Sequence, residues 1–356
     1  ELGVQPLPET QEMYTRLVDG EVPSTLPATV ILRREPRVVG ECPYRGLAAF
    51  RETDAAYFHG RETYAERLVG VVNEGSLVAV IVGSSGAGKS SVVFAGLIPR
   101  LQKEGNWVVV DFRPGSRPFH SLAGAISTHL SPELSEVEQL VEANKLGDAL
   151  EDRELPIAQT IERVLAVSPG KRLLMVVDQF EELYTLCQDQ DLRRGFLDAL
   201  LDAARAGKSQ VVSPFVILLT LRADFMNQAL SLRPFADALQ DNALILGPMN
   251  RTELREVIET PAKAEGAAFE AGLVTRILDD VGDEPGNLPL LEFALTLLWD
   301  RLDQGWMTHE AYEGIGRVEG ALAKYAEEVI AELPVGEQAA AQGVFIQLVQ
   351  PGQGTD

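Results

Sequence analysis

The stretch VAVIVGSSGAGKSS, Val78 to Ser91, decides the fold. An apolar run leads into Gly83, Ser84, Ser85, Gly86, Ala87, Gly88, Lys89 and Ser90, which satisfy G-x-x-x-x-G-K-[ST] in full. The glycines let the backbone curl until successive N–H groups converge on phosphate oxygens. A helix expected over Ser91–Leu101 brings its positive end to the same point. In that geometry Lys89 reaches the β- and γ-phosphates of a nucleotide and the Ser90 hydroxyl sits on Mg²⁺. Residues 83–91 are therefore the expected nucleotide-binding loop. A second GKS, Gly207 to Ser209, lacks the upstream glycine and follows a helical segment, so it is discarded.

Working outward, Trp107–Phe112, Leu173–Val177, Val216–Leu221 and Ala243–Leu246 repeat the apolar pattern of Leu77–Val82. Helical or polar segments separate these runs. Continuous apolar strands are buried on both faces, the habit of a parallel sheet. The expectation is an α/β fold: a P-loop NTPase with a parallel five-stranded core sheet. Residues 62–74 read as a helix, with Tyr64, Leu68, Val71 and Val72 on one face. The acidic segment Pro132–Pro156 reads as a helical surface excursion. From Arg251 onward strands become scarce and helices dominate, including Leu290–Leu302 and Leu322–Leu333, so a boundary is expected near Asn250. Residues 1–20 read as one amphipathic helix that Gly20 ends. Residues 21–41, with Pro23, Pro27 and Pro36, read as an extended linker. Both ends of the chain read as cut from a longer protein.

The net charge is −22, from 31 Lys and Arg against 53 Asp and Glu. Phosphate contacts with duplex DNA need clustered cations, so this composition argues against a duplex-binding surface. The cluster Arg33, Arg34 and Arg37 reads as a solvated linker. Cys42 and Cys187 give neither metal spacing nor a disulfide framework, which points to a reducing cytoplasm. No apolar run approaches the roughly 20 residues of a membrane span, and no signal peptide is evident, so no membrane partner is expected.

The segment MVVDQFEELY, Met175 to Tyr184, supplies the acids a P-loop site needs. Asp178 is the first polar residue past a buried strand, the position that holds the Mg²⁺ shell. Of Glu181 and Glu182, one would orient the attacking water. The other would face solvent in a first helical turn, where negative charge is favourable anyway. Sequence alone does not choose between them. In LLTLRADF, Thr220 and Arg222 end another strand, where ligands bind in open α/β sheets. Arg222 reads either as a γ-phosphate contact or as a surface salt bridge. In YFHGRE, Arg61 is placed near the base or the phosphates, and His59 reads as a packing side chain rather than a metal ligand.

The ordered set CPYRGLAAF (42–50), YFHGRE (57–62), GSSGAGKSSVVFAGLIP (83–99), RPG (113–115), VVDQFEELYTL (176–186), LTLRADF (219–225), LGPMNRTEL (246–254), GNLPLLEFAL (286–295) and IGRVEGALAKYAEEV (315–329) resembles the STAND class of NTPases. These are signal-transduction ATPases with numerous domains, and the likeness is to the bacterial subfamily that often precedes β-propeller repeats. The resemblance implies ATP or ADP with Mg²⁺ and the sheet order of additional-strand ATPases. It implies an NTPase domain at 42–249, a helical domain at 250–309 and the start of a winged helix at 310–356. It also implies that acids three and four positions after Asp178 sit by the γ-phosphate and that Pro289 sits near the adenine. Asn287 departs from the usual GLPL form at that motif. The N-terminal ELGVQPLPETQEMYTRLVDG resembles the last helix of a bacterial transcriptional activation domain. That likeness implies a large transcriptional regulator whose DNA-binding part precedes Glu1, with sensor and effector domains outside this chain.

The leading expectation is a slow switch ATPase that self-associates with ATP and closes with ADP. The alternatives are a scaffold that binds nucleotide without hydrolysing it and a DNA-processing ring ATPase. A small-molecule kinase is a more distant alternative.

Overall fold

The computed structural model describes residues 35–74, 78–207, 214–239, 242–282 and 286–348. The helix expected over residues 1–20, the linker as far as residue 34, Leu77 and the chain past residue 348 lie outside the described residues.

The five apolar runs form one parallel sheet: β1 (Val78–Gly83), β2 (Trp107–Phe112), β3 (Arg172–Val177), β4 (Phe215–Arg222) and β5 (Ala243–Leu246), in the order β2-β3-β4-β1-β5. β4 is inserted between the loop strand β1 and the acid-bearing strand β3, which is the additional-strand order. Side chains alternate between two cores, as the period of two requires. Val80, Val82, Met175, Val177, Ile217 and Leu219 face one layer of helices, and Ile81, Leu174, Val176, Val216 and Leu218 face the other. Burial on both sides explains why these runs are apolar throughout.

Register places the chemistry. Val177 pairs with both Phe112 and Leu219, so Asp178 emerges level with Arg113 and Thr220. Gly83 pairs with both Arg222 and Leu246, so the loop leaves β1 beside Arg222. All these groups gather at the carboxyl ends of the strands.

The helix Glu62–Glu74 matches its expected bounds, and Glu136–Glu151 fills the acidic excursion. The helix after the loop departs from expectation. It runs as Lys89–Ser91 and Ile98–Glu104 with π turns over Val92–Leu97 between them. All six π residues are buried, and a Cβ at Gly96 would stand 3.1 Å from the Phe58 ring. The wider turn thus sits where another aromatic side chain crowds the helix.

A third core unites the helices Arg251–Ala264, Leu273–Val281 and Asn287–Trp299 with a two-stranded pair, β6 (Ala268–Phe269) and β7 (Trp306–Met307). Tyr312, Ile315, Val318 and Ala321 pack into this same core, so its packing runs past residue 309. Tyr44 does too, and its hydroxyl donates to Ile258 O at 2.6 Å. The end of the expected linker is also held here: Arg37 N donates to Gln304 O and Gly40 N to Glu265 O, both at 2.9 Å.

Gly60 shows how tightly the segment before Glu62–Glu74 meets this third core. Its φ is +79°, and a Cβ there would stand 2.7 Å from Glu253 O in the first turn of Arg251–Ala264. Gly60→Ala should therefore lower the free energy of unfolding by about 1–3 kcal/mol. Denaturant titration reads this, and an unchanged midpoint would mean the helix can withdraw without cost.

Candidate functional site

The loop after β1 is shaped by two left-handed glycines, Gly86 (φ 74°) and Gly88 (φ 87°). Gly88 is the N-cap of the following helix and offers no side-chain cap, so the first-turn N–H groups stay available to a ligand. A Cβ at Gly86 would stand 2.9 Å from Pro289 Cγ, so the loop and the helix Asn287–Trp299 touch where only hydrogen fits. Pro289 thus sits against the phosphate loop itself.

Lys89 is buried, and its Nζ donates to Gly83 O (3.1 Å) and Ser84 O (2.8 Å). Burial pushes its pKa down, while Glu181 pulls it back up. Ser91 Oγ accepts from Phe50 N at 3.2 Å, which ties the segment before Gly60 to the loop. Gly83, Ser84 and Ala87 frame the loop, whereas Ser85, Gly86, Gly88, Lys89, Ser90 and Ser91 line the cavity over it.

Asp178 is only 2% exposed. Its Oδ1 accepts from Ser90 Oγ at 2.7 Å and from Thr220 Oγ1 at 2.8 Å. Its Oδ2 has no hydrogen bond and lies 3.4 Å from Arg113 Nε. Gln179 follows in the left-handed region (φ 52°), a strained conformation outside glycine. Two bonds pin it: Thr220 Oγ1 accepts from Gln179 N at 2.9 Å, and Thr220 O accepts from Phe180 N at 2.8 Å. The turn therefore holds the carboxylate against Ser90. A carboxylate with an uncommitted oxygen beside a hydroxyl is a hard-oxygen set that fits Mg²⁺ completed by phosphate and water.

The structure separates the two glutamates. Glu181 lines the cavity, and its Oε2 accepts from Arg222 N at 3.3 Å. Burial pushes its pKa up, and Lys89 and Arg222 are the cations that oppose the rise. Glu182 turns the other way, and its Oε2 accepts from Gly115 N at 3.2 Å. Arg222 lines the cavity and forms a bidentate pair with Asp224 (3.0 and 2.7 Å), the salt bridge that was one of its two expected roles. Arg61 is buried on the cavity wall, where it donates to Gly247 O at 2.6 Å and faces Glu253 at 3.7 Å. His59 Nδ1 meets Glu62 at 3.2 Å and also reaches the wall.

The cavity measures about 690 Å³, within the roughly 300–1,000 Å³ of small-molecule sites. Sheet-side residues Lys89, Arg113, Glu181 and Arg222 form one wall, and Val257, Pro289 and Glu292 from the helical core form the other. Sequence alone assigned no role to Arg113, Val257 or Glu292. Arg113 could have been found, since it follows β2 as Asp178 follows β3. Glu292 left a fainter signal, a lone acid in the apolar helix NLPLLEFALTLLW. Among the described residues no helix is long and apolar enough to cross a membrane.

Residues 43–356 match the family described as Novel STAND NTPase 1. No curated protein sequence matches the chain. Among solved structures it is similar to the Aeropyrum pernix ORC1 protein in complex with DNA, with TM-score 0.50 and 18% identity, covering 83% of this chain and 74% of that one. It is also similar to Cdc6p from Pyrobaculum aerophilum, with TM-score 0.47 and 17% identity, covering 78% and 71%. At 18% identity the likeness to the ORC1 structure is one of fold.

Proposed function

The chain belongs to the Novel STAND NTPase 1 family, and from that premise we propose that it is an ATP/ADP switch with slow, Mg²⁺-dependent hydrolysis. One observation carries the reading: a single cavity is walled by the phosphate loop and sheet on one side and by the helical core on the other. Nucleotide can shift an equilibrium only through differential affinity for its two states. A γ-phosphate reaching Lys89, Arg113 and Arg222 while the same ligand touches Pro289 would supply that difference.

In this reading Lys89 binds the β- and γ-phosphates, and the loop N–H groups from Gly86 to Ser90 hold the oxygens around it. Ser90 and Asp178 would hold Mg²⁺, which would supply charge neutralisation at the transferring phosphate. Arg113, 3.4 Å from Asp178 Oδ2, is the cation that would face the same phosphate. Glu181 takes the proton of the attacking water. Arg61 braces the wall through Gly247 O and Glu253. Cytoplasmic transcriptional regulation through domains outside this chain is part of the same proposal.

The test is the size of the purified chain in Mg²⁺ with ADP and in Mg²⁺ with a non-hydrolysable ATP analogue. A monomer with ADP and a larger species with the analogue are expected. One size in both, together with rapid partner-free hydrolysis, would overturn the switch.

A further inference from the structure

We propose that Glu292 selects the nucleobase and favours adenine over guanine. The inference rests on the nucleotide reading above. The helix Asn287–Trp299 starts at the phosphate loop, where Pro289 meets Gly86. Glu292 lies one turn on, about 4.5 Å further along the axis and on the same face. Glu292 lines the same cavity as the loop, together with the apolar side chains Phe50, Phe58, Met249 and Val257. A nucleotide with its phosphates on Ser85–Ser91 would have these apolar side chains and Glu292 left to receive its base.

Glu292 is 6% exposed, and among the described residues its carboxyl has one hydrogen-bond donor, Arg45 N at 3.4 Å. That contact is long for an N–H to oxygen bond. The guanidinium of Arg45 is committed elsewhere, to Asp54 at 2.8 Å and Cys42 O at 3.2 Å. The other ionisable groups facing Glu292, Tyr44 and Cys42, are both held neutral by burial, and Tyr44 spends its proton on Ile258 O. A buried acid with so little compensation is costly unless something on the cavity side pairs with it. Burial pushes its pKa up to about 8, against weak opposition from Arg45. The protonated form that burial favours has one O–H donor and one carbonyl acceptor.

Adenine presents a ring-nitrogen acceptor beside an amino donor, whereas guanine presents two acceptors, N7 and O6, on the corresponding edge. The neutral acid complements the first pair and clashes with the second. Once ionised it accepts only, so it loses the bond to the adenine ring nitrogen and suits the donor edge of guanine instead. The adenine preference should thus be full below the raised pKa and fade as pH climbs through it.

Dissociation constants for ADP and GDP with Mg²⁺, measured calorimetrically at about pH 6.5 and about pH 9, test this on wild type, Glu292→Gln and Glu292→Ala. Wild type should prefer ADP by about tenfold or more at the lower pH and less at the higher. Glu292→Gln, whose amide pairs with adenine in the same sense, should keep the preference and lose its pH dependence. Glu292→Ala should bring the two affinities within about threefold. A folded Glu292→Ala that retains the preference would overturn the proposal. So would equal ADP and GDP affinity in wild type at about pH 6.5. If Glu292→Ala does not fold, the glutamine variant and the wild-type pH series decide. Binding that Lys89→Ala abolishes, without base preference, would sink the role of Glu292 alone. Binding of neither nucleotide to wild type would sink the nucleotide reading with it.

Discussion

Lys89→Ala is expected to erase the stabilisation that nucleotide confers on the fold. At about a hundred times its dissociation constant, Mg²⁺–ADP should stabilise the wild-type chain by roughly 2.7 kcal/mol. Lys89 is the cation at the centre of the loop, and its loss removes charge-assisted bonds to phosphate that neighbouring groups cannot replace. A hundredfold weaker affinity would leave about 0.4 kcal/mol at the same ligand concentration, a shift close to the noise of a thermal scan. The unliganded variant should melt near the wild-type temperature. The ammonium is buried at the cost of hydration, and its hydrogen bonds stay within the loop, to Gly83 O and Ser84 O. Thermal unfolding with and without Mg²⁺–ADP separates these effects. A variant that keeps the full shift would show that the phosphates bind elsewhere.

The parts of the fold that were legible in the sequence are those where local pattern and tertiary role coincide. Strands buried on both faces must be apolar throughout, so all five were visible from composition, and β2 and β5 were bounded to the residue. The loop was visible because phosphate binding demands glycines at fixed spacing. What sequence left undecided depends on register and on contacts distant in the chain. Nothing local says that β4 lies between β1 and β3, and that placement is what puts Thr220 against Asp178. The segment 37–44 has too little periodicity to announce that it docks on the helical core through Gly40 and Tyr44. Glu292 was hidden for a similar reason. A single acid in an apolar helix reads as an interruption until the facing wall of the cavity is known.

The same dependence on distant contacts resolves Glu181 from Glu182 and yields the second large effect. Adjacent residues at the start of a helix point roughly 100° apart, so only one can face the loop. Glu181 does, held by Arg222 N on the cavity wall, while Glu182 anchors Gly115 N in the turn that carries Arg113. Glu181→Gln should cut hydrolysis by about 10²- to 10⁴-fold while leaving ATP affinity nearly intact, because the amide still accepts from Arg222 N but takes no proton from water. Glu182→Gln keeps an acceptor for Gly115 N and should change turnover by no more than a few fold. The pH profile adds an independent reading. A base must be ionised to act, and burial raises the pKa of Glu181 above the usual carboxylate value. Wild-type turnover should therefore fall on acidification at a pH higher than an exposed glutamate would give, and Glu181→Gln should lack that limb. Single-turnover hydrolysis across the acid range measures both. If Glu182→Gln instead produced the large loss, the water would lie on the Gly115 side, and the assignment of Glu181 as the base would be wrong.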